Sequence, residues 1–347
     1  MPKTVNLALI GYGYAGRVFH APLIAHTPGL CLHTVVSRHL DAVTATYPHT
    51  RIVADSAQAF ADPQIDAVVI ATPNQTHAAL ALAALTQGKH VLVDKPFTLN
   101  AQQAQQVIAQ AQRADRIVSV FQNRRWDGDF LGVRAVLETG ALGDIAEFHS
   151  HFDRHRPHVG DRWREHALPG SGLWFDLGPH LLDQALQLFG MPQTIQVDLA
   201  LQRAEAQTVD YFHALLRYPR LRVVLHAGSL VAANSLRFAL HGTGGSYLKH
   251  GLDTQEAQLR AGLTPAAPHW GEDPLPGQMH LIDAAGTIST HTVPPHRGDY
   301  RHCYAGFRDA MIGHAPAPVD PAQALAVMRL LDAGMRSADS GNTVVLD

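Results

Sequence analysis

Residues 6–24 read NLALIGYGYAGRVFHAPLI. An apolar run ends in Gly11-Tyr12-Gly13-Tyr14-Ala15-Gly16, and a helix-like pattern follows. Placed between a strand and a helix, three glycines at this spacing have separate jobs. The first permits a tight turn, the second lets a pyrophosphate approach the backbone, and the third lets helix and strand pack closely. The helix N-terminus then offers free N–H groups and a positive dipole end to the phosphates. Such a pattern is short and glycine is common, so the flanking chain decides whether it is a dinucleotide cradle or an incidental turn.

That flanking chain alternates. VNLALI, LHTVVS, AVVIAT, HVLVDK and RIVSVF are short, Val/Ile/Leu-rich runs that read as buried parallel strands. Between them lie helix-length segments such as QTHAALALAALTQGK and NAQQAQQVIAQAQRAD, the latter with Asn100 placed to cap it. This rhythm predicts an α/β domain with a doubly wound parallel sheet over residues 1–124. From residue 125 to 347 the pattern is α+β. GDFLGVRAVLETG reads as a helix closed by Gly140, and IAEFHSHFDRH as a strand. PHLLDQALQLFG reads as a helix with Pro179 in its first turn and Gly190 at its end. TIQVDLALQRA, DYFHALLRY, LRVVLHAGSLV and LRFALHG then follow without helices between them, which predicts a large, open, mainly antiparallel sheet. Residues 260–298 read as loop, 299–313 and 321–337 as helices, and TVVLD as a last strand. A C-terminal helix is expected to pack back on the first domain.

Bulk properties narrow the function. The chain has 347 residues, 46% apolar and 16% charged, with a net charge of −3. That balance supplies neither a basic patch for nucleic acid nor a polybasic membrane surface. No apolar stretch reaches the roughly 20 residues that cross a bilayer, and the glycines interrupt the one candidate signal sequence. Cys31 and Cys303 have no metal-like spacing. The expectation is a reduced, cytoplasmic protein.

The second strand bears on which dinucleotide binds. NAD enzymes usually end it with Asp or Glu, which takes the ribose hydroxyls and repels a 2′-phosphate. This chain reads TVVSRHLD there: Ser37 can donate to a phosphate, and the planar fork of Arg38 can pair with one. Asp41 comes three residues later, expected beyond the strand tip. NADP(H) is the preferred cofactor on this reading; if Arg38 is an ordinary solvated arginine, NAD(H) serves as well.

Three stretches together, IGYGYAGRVFHAPL, ATPNQTHAALALAALTQGKHVLVDKPFTLN and GSGLWFDLGPHLLDQALQLFG, resemble the Gfo/Idh/MocA oxidoreductases. These are named for glucose–fructose oxidoreductase and inositol dehydrogenase, and the resemblance covers most of the chain. FQNRRWDGDF and HFDRHRP with DRWRE look most like the subgroup that includes NADP-dependent scyllo-inositol dehydrogenases. The resemblance implies a Rossmann domain and a substrate domain, the latter commonly assembling the family into homo-oligomers. Its Glu-Lys-Pro motif stands here as Asp94-Lys95-Pro96, with a shorter acid first, and implies a cis bond before Pro96.

At the carboxyl end of its strand, the Lys95 ammonium can hold the reacting oxygen and favour a developing alkoxide. Asp176 and His180 match the family's Asp-x-Gly-x-His pattern, and their spacing puts both on one helix face. His180 can take and return the substrate hydroxyl proton, while Asp176 orients the imidazole or binds a hydroxyl. Read alone, Asp176 is better taken as a helix cap and His180 as packing. The resemblance makes Lys95, Asp176 and His180 the catalytic set. Thr72, Pro73, Asn74 and His77 fit its cofactor-flanking segment, with Asn74 equally a helix cap, and Asn123 follows the last strand of that domain.

Trp126, Arg154, Arg156, Trp163 and Arg164 suit a polyol or sugar, though each serves as readily in a salt bridge or core. His149-x-His151 and His155-x-x-His158 bring no evident carboxylate set, so no metal is expected. The predicted function is hydride transfer between NADP(H) and a secondary hydroxyl of an inositol-like polyol or sugar, lying between the nicotinamide and the catalytic set. Rival readings are a cofactor-sensing binding protein without turnover and an NAD-dependent glycoside hydrolase of the same family. The complete set argues against the sensor, and Ser37-Arg38 against the tightly held NAD of the hydrolase.

Overall fold

The computed structural model describes residues 4–38, 40–233 and 236–346. Chain order begins with β1 (Val5–Ile10), α1 (Ala21–Ala25), β2 (Leu30–Val36), α2 (Leu40–Thr46), β3 (Arg51–Val53) and α3 (Ser56–Ala61). Then come β4 (Ala67–Ile70), α4 (His77–Thr86), β5 (His90–Val93), α5 (Ala101–Ala114) and β6 (Val118–Val120). These six strands form one parallel sheet in the order β3-β2-β1-β4-β5-β6. β4 is buried at every residue, as a strand covered on both faces must be, and this is why it reads as an unbroken apolar run. Strand order reverses between β1 and β4, the crevice where ligands bind in open α/β sheets. Asn100 caps α5, accepting the Gln103 N–H at 2.9 Å.

The chain continues through α6 (Gly128–Glu138), β7 (Ile145–His151), α7 (Gly172–Phe189), β8 (Thr194–Ala200), β9 (Tyr211–Arg217), β10 (Arg222–Gly228), β11 (Leu236–Gly242) and β12 (Gly245–His250). It ends with α8 (Gln255–Arg260), β13 (Gly277–Ile282), β14 (Ile288–Val293), α9 (Arg301–Met311), α10 (Pro321–Ser340) and β15 (Val344–Val345). β7 to β15 make a nine-stranded sheet in the order β14-β13-β12-β11-β7-β10-β9-β8-β15, antiparallel except between β7 and β10.

Two expectations change. α7 begins at Gly172, so Pro179 sits inside it rather than in its first turn. The added turns are anchored by Trp174, which is buried and donates to the Leu331 carbonyl at 3.3 Å. Its ring fills space kept free by Gly178 and Gly334, where a Cβ would lie 3.1 and 2.3 Å from ring atoms. The stretch read as loop holds the β13–β14 hairpin. All but one residue of β14 is exposed, so nothing imposes apolar alternation on it. α8 likewise lies at the edge of that stretch.

Two compact units result. One takes residues up to Asn123 together with Gln255–Trp270 and Asp299–Met328; the other takes Arg124–Thr254, Gly271–Gly298 and the chain from Arg329 on. In the first, the Ser119 hydroxyl donates to the Val319 carbonyl at 3.0 Å, and Phe121 packs on Tyr304 at 5.7 Å between centroids. In the second, buried Arg237 donates to Asp129, Ser150 and Gln184 and so ties β11 to α6, β7 and α7. Among the described residues, no helix is long and apolar enough to cross a membrane.

Candidate active site

The glycine turn leaves β1 with Gly11 at φ +98°, a conformation only glycine adopts readily. A Cβ on Gly11 would lie 2.6 Å from the Ala71 carbonyl oxygen and 3.0 Å from Thr72 Cγ2, so the turn is pressed against the end of β4. A Cβ on Gly16 would meet the Gly11 oxygen at 2.1 Å and Leu9 only at 3.7 Å. The third glycine therefore packs the helix against the turn more closely than against the strand. Gly13 is different: a Cβ there would meet nothing within 4 Å. Two glycines close the turn and the middle one faces open space, the arrangement a pyrophosphate needs. Tyr12 is buried beside it, while Tyr14 is exposed with its edge towards Phe19. Ala15 precedes Gly16–His20, which is wound wider than an α-helix, with Arg17 donating to the Gly13 carbonyl at 2.9 Å.

At the tip of β2, Ser37 is buried and its N–H donates to Val53 at 3.0 Å. Arg38 is exposed and lines a groove of about 370 Å³ with Leu40, Asp41 and Ala42. Asp41 stands beyond the strand tip, in the first turn of α2, where it shares the groove with Arg38.

After β4, the Thr72 and Thr76 hydroxyls pair at 2.6 Å and Thr76 also donates to the Pro73 carbonyl. Asn74 is buried in the short turn Asn74–Thr76; the N-cap positions of that turn and of α4 are Pro73 and Thr76. His77 is fully buried, with Nδ1 2.8 Å from the Pro96 oxygen and Nε2 2.9 Å from the Thr72 oxygen. Carbonyl oxygens only accept, so an imidazolium satisfies both bonds where a neutral ring satisfies one. His77 thus joins the loops after β4 and β5.

After β5, the Lys95–Pro96 bond is cis and the Lys95 side chain is half-buried. Asp94 turns inward: one oxygen accepts the Lys95 N–H at 2.7 Å, and the other lies 3.6 Å from His20 Nε2. Burial would raise the Asp94 carboxyl, but His20, then Lys95 and His77, outweigh it and hold it down at about 2. His20 Nδ1 lies 2.6 Å from the Tyr304 hydroxyl, and its ring packs on Phe121 at 4.5 Å. Burial, with Cys303 and Asp94, holds that phenol well above its ordinary range. His20 and Tyr304 were not singled out from the sequence. His20 follows Gly16 by one turn, a signal that was there to read, whereas Tyr304 comes from 284 residues away. Asn123 is buried at the end of the first segment of this unit.

In the second unit, Asp176 and His180 sit one turn apart on α7, which removes the capping reading of Asp176. Asp176 is half-exposed with an oxygen 3.6 Å from Arg164 Nε, and His180 is buried. Both oxygens of Asp183 are taken by Arg125, at 2.8 and 2.6 Å, so this residue holds the helix. Arg164 lies over the Trp163 ring at 5.1 Å and Arg154 over Phe152 at 4.6 Å; Arg156 is exposed and Trp126 half-buried. Buried Arg203 gathers this segment, bonding Glu165, Asp210 and the carbonyls of Arg156 and His158. No local pattern around Arg203 announces that role. His155 and His158 are exposed, whereas His151 meets a carboxylate after all, that of Asp153.

Comparison with known proteins agrees with the fold. Residues 5–122 match the oxidoreductase family NAD-binding Rossmann fold, and residues 134–346 match the oxidoreductase family C-terminal alpha/beta domain. The uncharacterised oxidoreductase YdgJ of Escherichia coli K12 is 48% identical over the full length of both chains. The scyllo-inositol 2-dehydrogenase (NADP(+)) IolW of Bacillus subtilis 168 is 34% identical, over 99% of this chain and 96% of its own. A solved structure from Yersinia pestis superimposes with a TM-score of 0.96 at 47% identity, covering 100% of this chain and 98% of that one. The chain belongs to the Gfo/Idh/MocA family, and it is an oxidoreductase built on an NAD(P)-binding Rossmann domain.

Proposed function

We propose that the protein transfers a hydride between NADP(H) and a secondary hydroxyl or carbonyl of a cyclic polyol or sugar of inositol type. The observation that carries this reading is the placement of Lys95 directly after β5, at the same sheet edge as a glycine turn whose middle residue faces open space. The full-length similarity to a scyllo-inositol 2-dehydrogenase supports the substrate class.

Gly11, Gly13, Gly16 and the residues after β4 would hold the dinucleotide. When bound, its nicotinamide supplies the hydride chemistry. Lys95 carries a positive charge to the reacting oxygen and lowers the cost of alkoxide character there. Asp94, His20 and His77 keep the backbone around Lys95 in place. His180 takes the hydroxyl proton during oxidation and returns it during reduction, with Asp176 orienting the ring or a substrate hydroxyl.

Lys95→Ala and His180→Ala should each lower kcat roughly 100- to 10,000-fold with inositols and NADP+, while the Kd for NADPH changes little. In the double variant the losses should fall well short of additive, as for groups acting as one unit. A fully active Lys95→Ala enzyme overturns the mechanism. NADP(H) preference rests on Arg38, against which Asp41 in the same groove works. Arg38→Ala should raise KM for NADP+ roughly 10- to 100-fold and leave KM for NAD+ nearly unchanged. Equal use of both cofactors by the natural chain refutes the preference.

A further inference from the structure

The register of the nine-stranded sheet puts His151 of β7, His226 of β10, His213 of β9 and Asp198 of β8 in one row. Asp153, just past β7, turns its carboxylate to two of these rings. Its Oδ2 lies 3.4 Å from His151 Nδ1, and its Oδ1 lies 3.4 Å from His226 Nε2. Nitrogen and oxygen atoms of His151, Asp153 and His226 all fall within 4.8 Å of one another, and among the described residues no other such group of three occurs.

These side chains are 16%, 3% and 14% exposed, shielded from water yet reachable. Gly228 adjoins them: its N–H donates to Asp153 Oδ1 at 3.1 Å and so orients the carboxylate. A Cβ there would lie 3.6 Å from His226 Nε2, so glycine keeps that side open. The opposite face of β7 is spoken for, since Ser150 points to Arg237 and through it to Gln184 of α7.

We propose that His151, Asp153 and His226 form a binding site for a divalent transition-metal ion, with zinc the best fit. Two imidazole nitrogens and a carboxylate oxygen are donors that zinc takes and that magnesium and calcium do not favour. Three protein ligands leave one tetrahedral position for water or for His213, whose ring centroid is 5.6 Å from that of His226. Bonds of about 2.0–2.1 Å require donors roughly 3.3 Å apart, so one Asp153 oxygen and the imidazole nitrogen 3.4 Å from it already match, and the other imidazole, within 4.8 Å, closes by a side-chain shift. The ion would pin the exit of β7 to β10, at the start of the segment that carries Arg154, Arg156 and Trp163. Pairs spaced along one strand did not show this site, because Asp153 and His226 meet His151 through a bend and a neighbouring strand.

The test uses the full, untagged chain stripped by a chelator and titrated with zinc in a calorimeter and with cobalt by visible absorption. Expected are about one zinc per chain with Kd below about 10 µM and the visible bands of tetrahedral or five-coordinate cobalt. His151→Gln and His226→Gln, each checked for native circular dichroism, should weaken zinc binding at least roughly tenfold. Asp153→Asn serves in place of either variant that does not fold. His241→Gln, on the same face but outside the group, should bind as the natural chain does. Zinc should also raise the thermal midpoint of the natural chain and not of the site variants. Absence of saturable binding overturns the proposal, as does binding that survives both histidine changes, which would assign the ion to other histidines.

Discussion

Gly13 and Gly16 stand in one turn, yet their surroundings predict opposite phenotypes. A methyl group on Gly13 enters open space, so Gly13→Ala should leave the thermal midpoint almost unchanged. It should weaken NADPH binding roughly tenfold or more, because the methyl occupies the approach of the phosphates. A methyl on Gly16 lies 2.1 Å from the Gly11 carbonyl oxygen, a collision with backbone that no rotamer relieves. Gly16→Ala should cost about 2–4 kcal/mol of stability, read as a lower urea midpoint, whatever its effect on cofactor. Equal losses of affinity and stability in both variants would refute this division of labour. At this scale the sequence was informative about which residues matter and less so about how. Asp94 and His77 belong to the expected motifs, but both face inward to His20 and to backbone carbonyls. Motif spacing says that a residue is near a site; it does not say which way the side chain turns.

Elements were legible wherever burial imposes a period. β1, β4 and β5 are apolar because the sheet buries them, and α5 announces itself through Asn100. β14 carries no such imprint, and the first turns of α7 owe their stability to Gly334, which is 160 residues from Trp174 in the chain. A contact of that range cannot be seen in a local window. One link between elements makes a pH prediction. His90, at the start of β5, accepts the Ile117 N–H through Nδ1 at 2.9 Å, just before β6. Burial first, then Arg116, lower its pKa from 6.5 to about 4, against the opposing pull of Asp66 and Asp115. The folded chain thus resists a proton that the unfolded chain accepts. The stability this group contributes is complete above pH 6.5 and is lost as pH falls towards about 4. His90→Gln should therefore flatten the fall of the urea midpoint across that window. An unchanged slope would remove His90 from the account.

On the scale of the whole molecule, the cofactor-binding unit is not a continuous piece of chain. It takes in Gln255–Trp270 and Asp299–Met328, and the contacts that bind the second of these sit beside Asp94: Tyr304 on His20 and Phe121, and Val319 on Ser119. A fragment cut after residue 124 should therefore expose this apolar surface and melt without a cooperative transition. The same fragment joined through flexible linkers to residues 255–270 and 299–328 should recover cooperativity, measured by calorimetry. A sharp two-state melt of the short fragment alone would contradict the interlacing. The chain crosses from one unit to the other at Asn123, Thr254, Trp270, Gly298 and Met328. This has a consequence during biosynthesis. Domains usually fold in turn as they leave the ribosome, at about 5–20 residues per second. Here roughly two hundred residues separate the end of β6 from Met328, so the first unit waits roughly 10–40 s for its missing piece. Throughout that interval the nascent sheet displays the seat of Tyr304 uncovered, a natural landing place for a chaperone.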